Sequence, residues 1–184
     1  MPPVVIALLG AECTGKTTLC QALAQALPGL WVPEALRDFV DAHGRPPRPA
    51  EQPALLAEQR AREEAAIARA VAQGLGWVLS DSAPLATALY SEQLFGDASL
   101  RAAALGHHRR YTLTLVTGLD VPWEADGVQR DGPPARADFD ARLRALLAEA
   151  GIAHRRLEGA AAPRLALALR LARACAPDYN SGSR

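Results

Sequence analysis

Gly10, Glu12, Cys13, Thr14, Gly15, Lys16, Thr17 and Thr18 fall in the order that a polyphosphate-binding loop requires. They fill the pattern G-x-x-x-x-G-K-[ST] between the apolar run Val4 to Leu9 and a helical pattern through Ala24. Each position has its own physical reason. The two glycines permit backbone angles and close approaches that a Cβ forbids. The loop amides and the first turn of the following helix point at an anion, with the helix dipole behind them. Lys16 supplies a compact cation for β- and γ-phosphates, and Thr17 offers a hydroxyl to Mg²⁺. Of the 20 Lys and Arg residues, only Lys16 is a lysine. A broad guanidinium fork replaces a small enclosed ammonium poorly, so Lys16 reads as kept for its shape. These residues imply a nucleoside triphosphate ligand.

Three carboxylates follow other apolar runs, and in a parallel sheet ligands gather beyond the carboxyl ends of the strands. Glu34 follows Leu30-Trp31-Val32, Asp81 follows Trp77 to Ser80, and Asp120 follows Tyr111 to Thr117. Asp81 reads either as a holder of Mg²⁺-bound water or general base, or as the cap of the next helix. Asp120 has the same first reading, or is a turn residue. Glu34 and Arg37 stand one helical turn apart. They suit a substrate hydroxyl and a phosphate, or form a local ion pair. The long Gly/Pro-rich stretch 118–136 carries Trp123, Arg130 and Arg136, and unstructured loops of this length are usually functional. Its arginines are expected to fold over a transferring phosphate. Trp123 is expected either to line a pocket or to anchor the loop. Cys13 reads as an oxidisable thiol or as filler at a variable loop position.

Positioning those groups takes an alternation of strands and helices. Strands are expected over 4–9, 30–32, 77–80, 111–117 and 153–157. Helices are expected from Thr18, over 35–42, 51–73, 82–94 (with Asp81 or Ser82 as cap), 98–109 and 138–150, and through the apolar stretch 160–176. This order predicts an α/β fold: a three-layer α/β/α sandwich on a mainly parallel five-stranded sheet. One domain spans 1–177, with 118–136 as a lid-like loop and 178–184 as a flexible tail. The charged residues of 51–73 (Glu58, Arg60, Arg62, Glu63, Glu64, Arg69) read as a solvated face. Arg164, Arg170 and Arg173 likewise read as the exposed side of an amphipathic helix.

The chain has 184 residues, with 20 basic and 20 acidic side chains. Without a basic excess, nucleic-acid and anionic-membrane partners are not expected. Its three cysteines lack C-x-x-C spacing and read as reduced thiols of a cytoplasmic protein. Oligomeric state is left open.

The sequence resembles the ribosylnicotinamide kinase domain of the bacterial bifunctional NAD-biosynthesis regulator, a branch of the P-loop proteins. The resemblance lies in the G-x-E-x-x-G-K-[ST] loop and in the segment Pro33-Glu34-Ala35-Leu36-Arg37-Asp38-Phe39. It continues in the strand-end Asp81 followed by Thr87, and in the stretch from Pro122 and Trp123 through Asp126 and Gly127 to Arg130. It departs from the family pattern at Ala35, where an aromatic is frequent, and at Ala83, where a second Asp is frequent. The resemblance implies a Mg²⁺-dependent kinase that moves the γ-phosphoryl of ATP to the 5′-hydroxyl of nicotinamide riboside. Lys16, Asp81, Glu34, Arg130 and Arg136 would act in transfer. Glu34, Arg37, Trp123 and Asp126 would face a nucleoside-like small molecule, and Thr17 with Asp81 would serve the metal. The alternatives are a kinase for another nucleoside or metabolite, and a nucleotide-dependent regulatory switch acting on a protein.

Overall fold

In a computed structural model, which describes residues 1–123 and 132–175, five strands form one wholly parallel sheet. Chain order is β1 (Val4–Leu9), α1 (Lys16–Ala26), β2 (Gly29–Val32), α2 (Ala35–His43), α3 (Gln52–Gln73), β3 (Trp77–Asp81), α4 (Pro84–Phe95), α5 (Arg101–His108), β4 (Leu113–Thr117), α6 (Pro133–Glu149), β5 (Arg155–Leu157) and α7 (Ala161–Ala174). Spatial order is β2-β3-β1-β4-β5. β1 is therefore the central strand. Its six apolar residues are all buried, as a strand covered on both faces demands.

Alternation along β1 sorts the two faces. Ile6 and Leu8 pack with Leu19 and Leu23 of α1 and with Ala168 and Ala172 of α7. Ala7 and Leu9 pack with Leu85 and Leu89 of α4 and with Phe139, Leu143 and Leu147 of α6. Val5, Val78 and Val32 meet Ala66 and Ala70 of α3 on that same second face. The expected three layers are present.

Several boundaries differ from the sequence reading. The fourth strand starts at Leu113, and the helix expected over 98–109 is confined to Arg101–His108. A 3₁₀ turn, Pro49–Glu51, precedes α3. The helix expected from Asp138 begins five residues earlier, at Pro133. Pro133 and Pro134 read as loop, yet proline is well suited to a first helical turn, where no N–H partner is needed. Arg136 consequently belongs to a helix and not to a loop.

Two surface assignments are overturned. Glu63 is 1% exposed and accepts hydrogen bonds from Ser80 and from Tyr111 (2.7 Å), while His107 Nε2 lies 2.6 Å from its other oxygen. Arg164 is 4% exposed and turns inward. The rest of the α3 charge is solvated as expected, with Arg62 joined to Glu58 and Asp38. Arg130 and Asp126, residues 124–131 of the lid-like stretch and the tail 178–184 lie outside the described residues.

Candidate active site

The loop after β1 is shaped by contacts that leave little choice of residue. Gly10 has φ 147°, and a Cβ there would stand 2.1 Å from Thr117 Oγ1. Gly15 has φ 79° and opens α1, whose first turn has neither a side-chain cap nor an acidic residue. That helix end keeps its partial positive charge for a ligand. Thr14 is fully buried. Its hydroxyl donates to Ala11 O (2.7 Å) and shares a 2.7 Å hydrogen bond with Thr117 Oγ1. Thr14 thus contributes loop shape. Lys16 Nζ donates to Ala11 O at 2.8 Å. Cys13 has φ 53°, and strained backbone of this kind collects at ligand clamps.

Asp81 ends β3 directly opposite Leu8, so its carboxylate lies beside the root of the loop. It is 1% exposed, and neither carboxylate oxygen has a hydrogen-bond partner. The helix-cap alternative is excluded: α4 starts at Pro84, its N-cap is Ala83, and no side chain caps it. Ser82 between them adopts φ 55° and donates its N–H to Leu8 O at 3.1 Å.

Glu34 precedes α2 and faces the same cleft, half-buried and without an ion pair to Arg37, which is exposed. Burial raises its pKa above the ordinary carboxylate value. Lys16 opposes that rise, Asp81 adds to it, and Ser82 and Arg37 oppose it more weakly. Cys20 lies beneath the cleft. Its thiol is pushed well above its usual range, first by burial and then by Asp81. Lys16 and Glu34 both line the cleft, and the charges of Lys16 and Asp81 both act on Glu34.

A cavity of about 690 Å³ runs from the loop residues Glu12 to Thr18 past Glu34, Arg37 and Asp41. Leu36, Val40 and Leu55 line one wall with Pro46 and Pro47. Tyr90, Leu94 and Phe139 line the other, where the Tyr90 and Phe139 rings stack at 4.3 Å. Arg45 fixes the proline segment by pairing with Glu51 (2.7 Å) and lying over the Phe39 ring. Trp123 Nε1 donates to Glu12 Oε1 at 3.1 Å, so the 118–123 segment is tied to the phosphate loop. Arg136 lines the cavity, but one end of its guanidinium donates to Leu119 O (3.1 Å) and Val121 O (2.8 Å). Asp120 joins Arg164 at 2.5 Å and accepts from the Gly159 N–H. It serves as a joint between strand ends.

Asp41 and Arg164 were missed by sequence reasoning. Asp41 carried a signal, standing one turn beyond Arg37 on α2. Arg164 carried one too: a cation in a helix's first turn opposes the dipole, and so asks for a tertiary partner.

A family model described as an AAA domain matches residues 5–164. No curated protein matches the chain by sequence. The fold is similar to a NadR protein in complex with NR, with TM-score 0.74 and 20% identity over 99% of this chain and 52% of that one. It is similar to a NadR protein in complex with NAD and AMP-PNP, with TM-score 0.72 and 20% identity over 94% and 49%. Shikimate kinase from Acinetobacter baumannii in complex with shikimate aligns at TM-score 0.45 and 16% identity, over 98% of this chain and 96% of that one. At such identities the NadR likeness is one of fold, and the chain spans about half the length of those NadR chains.

Proposed function

The chain belongs to the AAA domain family, and on that premise we propose that it is a kinase that transfers the γ-phosphoryl of ATP to the 5′-hydroxyl of nicotinamide riboside. One observation carries the reading: Lys16 and Glu34 line the same cavity, which is large enough for an acceptor, and the buried Asp81 lies near enough for its charge to act on Glu34. The same cavity that takes in the phosphate loop extends between apolar walls toward Leu36, Val40, Tyr90 and Phe139, which gives room for a small acceptor beside the phosphates. Nucleotide and nucleoside occupy the two named NadR complexes, which adds support from fold analogy.

The residues also fit Mg²⁺. Among the described residues, no group of three or more His, Cys, Asp or Glu could hold a metal alone. Mg²⁺ prefers phosphate oxygens, water and one or two protein ligands, and the unpartnered Asp81 carboxylate with the Thr17 hydroxyl supplies that number. When bound, the ion neutralises charge on the phosphates.

Lys16 and the first amides of α1 hold and polarise the β- and γ-phosphates. Glu34 accepts the proton of the acceptor hydroxyl as its oxygen bonds to the γ-phosphorus, and the bond to the β–γ bridging oxygen breaks to release ADP. A raised pKa suits Glu34 to that exchange. The cavity lining carries three acidic side chains, Glu12, Glu34 and Asp41, against three basic ones, Lys16, Arg37 and Arg136, so the choice of nicotinamide riboside as acceptor rests on the family motifs and the fold analogy. Ala35 and Ala83 do not line this cavity. Arg130 and Asp126 enter the proposal on motif alone, Arg130 as transition-state charge and Asp126 as an acceptor contact.

The test is a panel of nucleosides and small polyols with ATP and Mg²⁺, read by mass spectrometry. The expected product is nicotinamide mononucleotide, with little ATP hydrolysis when the acceptor is omitted. Phosphorylation of a different nucleoside alone would reassign the acceptor. ATP turnover that rises only with a protein would replace the kinase by a switch.

A further inference from the structure

Arg164 is a guanidinium in an unfavourable place twice over. It sits in the first turn of α7, where the helix dipole repels a cation, and it is 4% exposed. Its contacts explain why the fold tolerates it. Nη1 donates to Thr14 O at 2.7 Å. Nη2 donates to Asp120 Oδ1 at 2.5 Å and, weakly, to Gly118 O at 3.4 Å. One side chain thus joins the phosphate loop to the carboxyl end of β4. Asp120 extends the joint to the turn after β5 through the Gly159 N–H.

The contact with Thr14 O has a directional consequence. In a planar trans peptide the carbonyl and the next amide point to opposite sides. A guanidinium that captures the Thr14 carbonyl therefore turns the Gly15 N–H the other way, toward the cradle side of the loop. The Thr14 hydroxyl, bound to Ala11 O and to Thr117, stops the same residue from rotating. Asp120 neutralises the guanidinium locally, so its main effect is on geometry and not on long-range field.

We propose that Arg164 is a positioning residue for phosphate binding: it orients the Thr14–Gly15 peptide so that the Gly15 amide faces the anion. This rests on the reading of residues 10–17 as a phosphate loop and is independent of which acceptor is used.

The experiment measures binding of inorganic tripolyphosphate and of adenosine, each by calorimetry, to the wild type, Arg164→Met, Arg164→Lys and Asp120→Asn. The Gly15 amide is followed by ¹⁵N–¹H NMR in each. Arg164→Met is expected to weaken tripolyphosphate about tenfold or more, with adenosine within twofold of wild type and the Gly15 amide shifted. Arg164→Lys should recover part of the loss, because an ammonium can still reach a single carbonyl. Asp120→Asn, which leaves the Thr14 contact in place, should lose about threefold or less. If Arg164→Met does not fold, Arg164→Lys and Asp120→Asn carry the test with the same readouts. Tripolyphosphate affinity unchanged in the folded Arg164 variants would overturn the proposal. So would equal loss of adenosine and tripolyphosphate, which marks a purely structural role. Failure of the acceptor reading would instead leave tripolyphosphate binding intact and abolish only product formation.

Discussion

Two neighbouring residues of β3 deliver carboxylate chemistry to opposite faces of the sheet, and the two arrangements differ completely. Ser80 faces α3, where Glu63 is saturated by Ser80, Tyr111 and His107. Asp81 faces α1, where both carboxylate oxygens are buried and bare. Both acids are 1% exposed, so burial alone does not tell them apart. The completeness of hydrogen bonding does. A buried charge whose partners are all supplied by the chain belongs to the fold; one whose partners are missing awaits a ligand.

The comparison breaks if the bare acid proves structural or the saturated one proves chemical. The largest effect is expected for Asp81→Asn: phosphoryl transfer falls by roughly 10²–10⁴, while the melting temperature holds or rises because an uncompensated buried charge is removed. A rate assay beside a melting curve decides it. A large loss of stability with kinetics kept would move Asp81 to the structural side.

Glu63→Gln should do the opposite. Breaking a buried pair by altering one partner costs about 3–5 kcal/mol, and the folded fraction should retain near-normal Kd for ATP. Urea unfolding with ATP titration checks both halves.

The smallest effect sharpens the comparison through pH. His108 lies beside His107, accepts or donates one hydrogen bond with Thr114 (2.9 Å), and leaves Nδ1 unpaired. Burial, then the His107 charge, lowers its pKa from 6.5 to about 4. Between those values the unfolded chain binds a proton that the folded chain refuses. Stability from this group is therefore intact above 6.5 and is lost as pH falls toward 4, up to about 3 kcal/mol. Unfolding free energy measured across that window should flatten in His108→Gln.

Legibility in the sequence followed locality. The phosphate loop, the strand-end position of Asp81 and the sheet class were readable, because a glycine at a positive φ or an unbroken apolar strand is imposed by near neighbours. Glu63 was misread because charge was counted without register. The buried residues Gln52, Leu55, Leu56, Gln59, Glu63, Ala66 and Ala70 form one helical stripe, and Glu63 lies within it. The start of α6 was misread because paired prolines signal both a loop and a helix start. Arg164 was out of reach of any local rule for its partner: it binds a carbonyl 150 residues upstream.

The central position of β1 has a consequence for the order in which the chain is made. β1 and its loop are made before their neighbours β3 and β4, which begin only at Trp77 and Leu113. Thr14 meets Thr117 only after β4 exists, and Arg164 only when α7 follows. Throughout that interval an all-apolar strand has nothing to pair with, and exposed apolar strands of this kind are prone to aggregate. The phosphate loop is thus made well before the elements that fix its shape, and it reaches the arrangement described above only once α7 docks.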